Sequence, residues 1–161
     1  MMSLTISEVI LHETVDLHYG SFKKKDDLFR HMVSLLYRSG KINSEEKFLE
    51  SLYEREAIGS TYMGNCIAIP HGKSEAVVST AIAFCRCAEG GLYESCNETG
   101  TVNLVFMFAL PEQTTSENYI KLLSTLARLL MHEEFIGKLY EAREYSEVVE
   151  AIQATEVVLE D

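Results

Sequence analysis

His71 sits between Pro70 and Gly72, directly after the apolar run Ile67-Ala68-Ile69. Proline has no amide to continue a sheet ladder, so it ends the short buried strand that the run predicts. Glycine has no Cβ, so backbone or ligand can come close behind the imidazole. A histidine at a strand end stands where α/β proteins usually keep their chemistry. Arg55, Ser60 and Thr61 lie a short way upstream and offer one cation and two hydroxyls. A strand-to-loop turn with an incidental histidine accounts for the same residues. What separates the two readings is whether any reaction can run on this set.

Several reactions are excluded. A serine hydrolase of the nucleophile-elbow kind needs Gly-x-Ser-x-Gly, which does not occur. His12, His18, His31 and His132 are scattered and lack His-x-x-x-His spacing. Cys85 and Cys87 share one face of a predicted strand, but Cys-x-Cys is not a standard zinc spacing, and Cys66 and Cys96 add no matching pair. All four thiols are therefore expected as small core or surface residues, with zinc binding as the second reading and no disulfide. Walker-type and dinucleotide glycine patterns are missing, so no nucleotide cofactor is expected. One chemistry needs only a single well-placed imidazole: accepting a phosphoryl group and passing it on. The neutral ring attacks through one nitrogen while the other, held as N–H by an acceptor, fixes the tautomer. The incoming charge then needs a cation, amides or hydroxyls around it. Arg55, Ser60 and Thr61 are the candidates. Taken by itself, Arg55 reads most simply as a surface ion-pair residue between Glu54 and Glu56.

The elements that must position these groups follow from periodicity. Within residues 6–17, Val9-Ile10-Leu11 and Val15-Asp16-Leu17 fit short strands. Residues 21–39 carry Leu28, Met32, Leu35 and Leu36 at helical spacing, and Gly40 is a natural stop. Lys23-Lys24-Lys25 sits badly at the positive end of a helix dipole, so the helix is expected to start after it and the lysines to form a solvated patch. Asn43 or Ser44 caps a second helix that ends near Ala57, which puts Arg55 in its last turn. Residues 77–87 read as a strand, and residues 102–110 as a central strand buried on both faces and ended by Pro111. Gly90-Gly91 and residues 97–100 read as turns around a weakly structured loop. Thr114 with Glu117 resembles a capping box. The helix after it carries Tyr119, Leu122, Leu123, Leu126, Leu129 and Leu130 on one stripe, and two shorter helices close the chain. Strands and helices interleave, so the fold class is α/β with a mixed central sheet in a single domain spanning residues 1–161.

Composition agrees with that class. With 161 residues, 47% hydrophobic and 24% charged, the chain can bury a proper core and is not a disordered polymer. No apolar run is long enough to cross a membrane, and the N-terminus lacks the blocks of a signal peptide; a cytoplasmic protein is expected. The net charge is −11, and residues 112–161, with eleven acids and four bases, supply −7 of it. Such a surface disfavours nucleic acid and anionic lipid and would steer a basic protein partner. A solvated helical face kept soluble by glutamates explains it equally well.

Three segments together carry a resemblance: Glu54-Arg55-Glu56, then Gly59-Ser60-Thr61-Tyr62-Met63-Gly64, then Ile67-Ala68-Ile69-Pro70-His71-Gly72. They resemble the signature of the enzyme IIA domains of the fructose–mannitol type, from the bacterial phosphoenolpyruvate-dependent sugar phosphotransferase system. The resemblance covers about residues 4–155, and the length suits a free-standing member. It implies an α/β fold with a mixed sheet flanked by helices, and a phosphohistidine at His71. The phosphoryl group would come from the histidine phosphocarrier protein and go to an enzyme IIB component. Arg55 would stabilise its charge, and no metal or cofactor would be needed. Members of the family often carry a second histidine early in the helix after the last long strand, where this chain has Tyr119. A phenol can donate a hydrogen bond but cannot become cationic near neutral pH. Tyr119 either takes part of that histidine's role or is simply the first core residue of its stripe. Asn65 is likewise neutral where some relatives have an acid. Two alternatives to sugar transport remain: a nitrogen-type regulatory enzyme IIA that binds other proteins in one phosphorylation state, and a transfer-inactive interaction module.

Overall fold

The computed structural model describes residues 5–160. The expected start of the domain core, at about residue 4, lies outside the described residues. Helix α1 (Ile6–Val9) leads into strand β1 (Ile10–Asp16), followed by helices α2 (Lys25–Arg38) and α3 (Glu45–Glu56). Strands β2 (Tyr62–Gly64), β3 (Ile67–Ala68), β4 (His71–Ser74), β5 (Ala81–Ser95) and β6 (Glu98–Pro111) come next. Helices α4 (Ser116–Leu129), α5 (Glu133–Glu141) and α6 (Tyr145–Glu160) close the chain. The strands form one sheet in the order β1-β5-β6-β3-β2, with β4 also paired to β6. β1 runs parallel to β5, and β3 and β4 run parallel to β6, whereas β5–β6 and β2–β3 are antiparallel. The sheet is mixed and helices flank it, as the interleaving of patterns predicts.

Alternation along β5 and β6 divides the core in two. Ile82, Phe84, Leu104, Phe106, Phe108 and Leu110 face the core shared with α1 and α4–α6. Ala81, Ala83, Cys85, Cys87, Val105, Met107 and Ala109 face α2 and α3. The bulky rings thus stand on one face and mostly small side chains on the other, which lets α2 and α3 sit close to the sheet. That close approach matters for the site, because α3 carries Arg55.

Several expectations are corrected. Val9 closes a helical turn instead of opening the first strand, because Thr5 and Glu8 make a reciprocal capping box that holds the turn, while Ile10 and Leu11 are strand as expected. The strand of residues 77–87 begins only at Ala81. Thr115, not Thr114, caps α4 by accepting from the Asn118 amide at 3.2 Å, so Glu117 closes no box. Lys25 is not part of a solvated patch: it donates to Glu56 at 2.8 Å and to the Glu94 carbonyl at 2.6 Å. The region around Gly90-Gly91 is no loose loop but the continuation of a long β5–β6 hairpin, turned at Cys96-Asn97. The two glycines mark a bulge: the register shifts between Arg86 and Gly91, and Gly90 has φ of +72°. At Gly91 a Cβ would stand 2.6 Å from the Phe22 carbonyl oxygen. These glycines bend a strand instead of ending it.

Candidate functional site

The end of β3 and start of β4 fix His71 through backbone bonds on both sides. The Ile69 amide donates to the Thr61 carbonyl at 2.9 Å, and the Phe108 amide donates to the Pro70 carbonyl at 3.0 Å. His71 then pairs with Phe108 across the parallel β4–β6 ladder. Gly72 serves the packing of α3 against this strand, since a Cβ there would lie 2.3 Å from Ser51 Oγ and 3.3 Å from the Leu52 amide nitrogen. The close approach allowed by the missing side chain is that of a helix to a strand.

The imidazole's tautomer follows from its neighbours. Nδ1 lies 3.0 Å from the Ile69 carbonyl oxygen, which can only accept, so Nδ1 carries the proton. Nε2 receives the Arg55 Nε–H at 3.0 Å, and a guanidinium can only donate. Its lone pair is therefore the accepting end, and the Tyr119 hydroxyl makes a short hydrogen bond to the same nitrogen. The Tyr119 ring stands edge-on to the imidazole, with centroids 5.3 Å apart. Burial holds the His71 pKa below the ordinary imidazole value of 6.5, and the Arg55 charge adds to that depression. The Ile69 carbonyl and Glu56 oppose it only in part. His71 is thus a neutral imidazole near neutral pH, with a defined nucleophilic nitrogen.

Arg55 reaches the imidazole because the last turn of α3 ends beside it. Its Nη1 donates to the Gly59 carbonyl at 2.9 Å, which ties the guanidinium to the turn after the helix. The ion-pair reading of Arg55 gives way to a contact with His71. Tyr119, partly buried against the core, both packs and bonds the imidazole. Ser60 and Thr61 line the same cavity, of about 360 Å³. The Thr61 hydroxyl, however, donates to Glu56 at 2.5 Å and lies 2.6 Å from the Tyr93 hydroxyl. Ser60 Oγ accepts from the Tyr62 amide at 3.1 Å. His71, Arg55 and Tyr119 are brought into contact, while the two hydroxyl residues support the turn beside them.

Glu56 has no role of its own in the sequence analysis, where it appears only as a neighbour of Arg55. It is buried, and Lys25, Thr61 and Ser95 all donate to its carboxylate. The tip of the long hairpin supplies Ser95 and, through Thr61, Tyr93. The signal lay in the spacing of α3: Glu56 continues the buried stripe of Phe48 and Leu52 at intervals of four, where a carboxylate must find partners. This buried network anchors the C-terminal end of α3, and hence Arg55.

The cavity mouth is apolar. Met63 and Ile120 are exposed on its walls, with Ile69, Leu123 and Ala127 deeper in. One group of donors, Asp16, His31 and Cys85, has the composition of a metal site among the described residues, and His71 is not part of it.

Comparison with known proteins identifies the family. The family described as "Phosphoenolpyruvate-dependent sugar phosphotransferase system, EIIA 2" matches residues 8–155. The fructose-specific EIIABC component of Bacillus subtilis (strain 168) is 36% identical over 149 residues, which cover 92% of this chain and 23% of that protein. The chain therefore spans about a quarter of the length of that relative. The fructose-specific EIIA component of Haloferax volcanii is 34% identical over 118 residues, covering 73% of this chain and 75% of its own. Among solved structures, the nitrogen regulatory protein IIA-Ntr from Neisseria meningitidis matches with a TM-score of 0.77 at 26% identity, over 91% of this chain and 98% of that one.

Proposed function

Since this chain belongs to the EIIA 2 family of the phosphoenolpyruvate-dependent sugar phosphotransferase system, whose members relay phosphoryl groups, we propose that His71 is its phosphoryl carrier and Nε2 the atom that carries the group. The observation that supports this most is the tautomer: Nδ1–H is held by the Ile69 carbonyl, and the lone pair of Nε2 faces Arg55 and Tyr119. In the transfer, the Nε2 lone pair forms the new N–P bond while the donor's N–P bond breaks and its electron pair returns to the donor. No proton need move at His71, because Nδ1 keeps its own throughout. Arg55, already within reach of Nε2, turns its N–H groups to the phosphoryl oxygens, and the Tyr119 hydroxyl does the same. Ser60 and Thr61 act by holding the turn that anchors Arg55.

The donor in this proposal is the histidine phosphocarrier protein, and the acceptor is an enzyme IIB component. The name of the Bacillus relative, EIIABC, joins an A, a B and a C component, which supports a B component as the next station. The exposed Met63 and Ile120 at the mouth suit a protein partner that brings its own reactive group to a recessed imidazole. Four reduced cysteines suit the cytoplasm, where the relay would operate. Among the described residues no helix is long and apolar enough to cross a membrane.

The likeness to a nitrogen regulatory protein favours a second reading, in which phosphorylation of His71 switches the binding of other proteins. One experiment tests the core of both. The protein is mixed with phosphoenolpyruvate, enzyme I and the histidine phosphocarrier, and acid-labile phosphate is followed on wild type and His71→Ala. Label on wild type alone is expected; label persisting on the variant would overturn the assignment. Onward transfer to a IIB component then separates transport from regulation.

A further inference from the structure

We propose that Asp16, His31 and Cys85 form a binding site for a borderline-soft divalent cation of the zinc type, separate from the phosphoryl site. A carboxylate oxygen of Asp16, a ring nitrogen of His31 and the Cys85 sulfur all lie within 4.8 Å of one another. Three elements bring them there. Asp16 and Cys85 are direct partners in the parallel β1–β5 ladder, so their side chains share a face of the sheet. That is the face on which α2 packs, and α2 supplies His31. Because the ligands come from three elements, no local spacing in the sequence reveals them.

The donor set selects the ion. Thiolate, imidazole and carboxylate together suit zinc or cobalt and are wrong for magnesium or calcium, which take oxygen ligands. Zinc bond lengths place tetrahedral donors about 3.4–3.6 Å apart. Asp16 Oδ2 and His31 Nε2 are now 2.7 Å apart, so that pair must open to meet that geometry, and the thiol, within 4.8 Å of both, closes on the ion. The support around the ligands is already in place. Asp16 Oδ1 accepts from the His18 amide at 2.9 Å, which leaves Oδ2 to face the site. The Tyr19 ring stacks on His31 at 4.1 Å between centroids and nearly parallel, fixing the imidazole plane. Cys85 is fully buried, whereas Asp16 and His31 are partly exposed at 23% and 26%, so an ion and a water as fourth ligand can enter from the solvent side.

Charge and protons balance. Binding a divalent cation releases the thiol proton to solvent, and the His31 proton, now on Nε2 and donated to Asp16 Oδ2 at 2.7 Å, passes through solvent to Nδ1, so the imidazole stays neutral and Nε2 is free for the ion. The thiolate and carboxylate cancel the ion's two charges, so the cluster at the buried base of the site is neutral. The site lies at the β1 edge of the sheet, beyond β5, whereas β4 with His71 lies on the other side of β6. It needs no part of the phosphoryl reading.

The test is titration of the reduced, metal-stripped protein with Co2+, followed by optical spectroscopy and by competition with Zn2+. A thiolate-to-cobalt charge-transfer band saturating at a single equivalent is expected, together with visible bands of a four-coordinate ion. Cys85→Ala should abolish the charge-transfer band. His31→Gln should weaken binding at least about tenfold. His71→Ala and Cys87→Ala should bind as wild type does. Zn2+ should raise the thermal midpoint of wild type and leave Cys85→Ala unmoved. Absence of the band in wild type, or its survival in Cys85→Ala, overturns the proposal. Should Cys85→Ala not fold, His31→Gln decides alone: unchanged cobalt affinity refutes the site.

Discussion

Replacing Tyr119 by phenylalanine removes one oxygen from the site and little else. The ring stays, along with its packing against the core and its edge-on stance to the imidazole. What goes is the hydroxyl that bonds His71 Nε2. Two effects then oppose each other. In the free protein the hydroxyl occupies the lone pair that must attack, so its loss frees the nucleophile by the value of a neutral hydrogen bond, about 0.5–1.5 kcal/mol. In the phosphorylated protein, and on the way to it, the hydroxyl can donate to a charged oxygen, a bond of about 1.5–3 kcal/mol. The charged bond wins by about 1–2 kcal/mol, which at 1.36 kcal/mol per decade is a roughly 5- to 30-fold slower transfer onto His71. Rapid-quench measurement of phosphoryl transfer from the histidine phosphocarrier gives this rate directly, and the urea midpoint checks that the fold is intact. A Tyr119→Phe rate equal to or above that of wild type would refute the reasoning. It would mean that the hydroxyl only masks the lone pair, and that Tyr119 is a core residue whose oxygen happens to fall there.

Arg55→Ala removes a donor that bonds Nε2 before transfer and the phosphoryl oxygens after it, so the loss is again a difference of about 1–2 kcal/mol and transfer should slow by roughly 5- to 30-fold. The same variant should raise the His71 pKa seen by NMR, because the Arg55 charge now opposes protonation; an unmoved titration would separate the guanidinium from the imidazole. Stability should fall with acidity in a particular window. His71 holds its proton less tightly folded than unfolded, so the unfolded chain protonates first as pH drops below 6.5, and stability is lost from there down to the native pKa and is level beyond it. Urea midpoints of wild type and His71→Ala measured across that range should diverge, and parallel curves would contradict the depressed pKa. Gly72→Ala should cost about 1–3 kcal/mol and slow transfer, since its Cβ meets Ser51 Oγ at 2.3 Å and must push α3 and Arg55 away from β4. An unchanged midpoint would show that helix and strand have slack there.

The sequence exposed those parts of the fold that are set by short-range rules. The stripe of α4, the stop at Pro111 and the strand before Pro70 all follow from periodicity and from proline's missing amide. The proposed nucleophile was legible for the same reason, since His71 is framed by two residues of special backbone. Lys25, Glu56 and the long hairpin were not. Lysine next to two other lysines looks solvated until a buried carboxylate thirty-one residues away claims it. Gly90-Gly91 looks like a turn because a bulge uses glycine for the same positive φ that a turn does. Thr61 could be placed near the site from its position in the chain. Its hydroxyl could not be aimed, because Glu56 and Tyr93 reach it only through tertiary structure.

The way the site is built bears on what a carrier must do. A relay has to take a phosphoryl group and release it again, so neither state can lie far below the other. With His71 as the proposed carrier, the same two donors would serve both states: Arg55 and Tyr119 bond the bare nitrogen in the free protein and would turn to the phosphoryl oxygens of the charged one. Their net contribution to the carrier equilibrium is therefore a difference of hydrogen bonds, about 1–2 kcal/mol each, and not the full value of either. A site that left Nε2 unbonded and offered its donors only to the phosphoryl group would hold that group more tightly and pass it on more slowly. The buried carboxylate of Glu56 fits the same logic at one remove. It opposes the depression of the His71 pKa while remaining neutralised by Lys25, and so it steadies α3 without placing a net negative charge beside the incoming group. On this argument the tyrosine at position 119 is compatible with a working relay, because reversible transfer asks for a donor of hydrogen bonds there and not for a second cation.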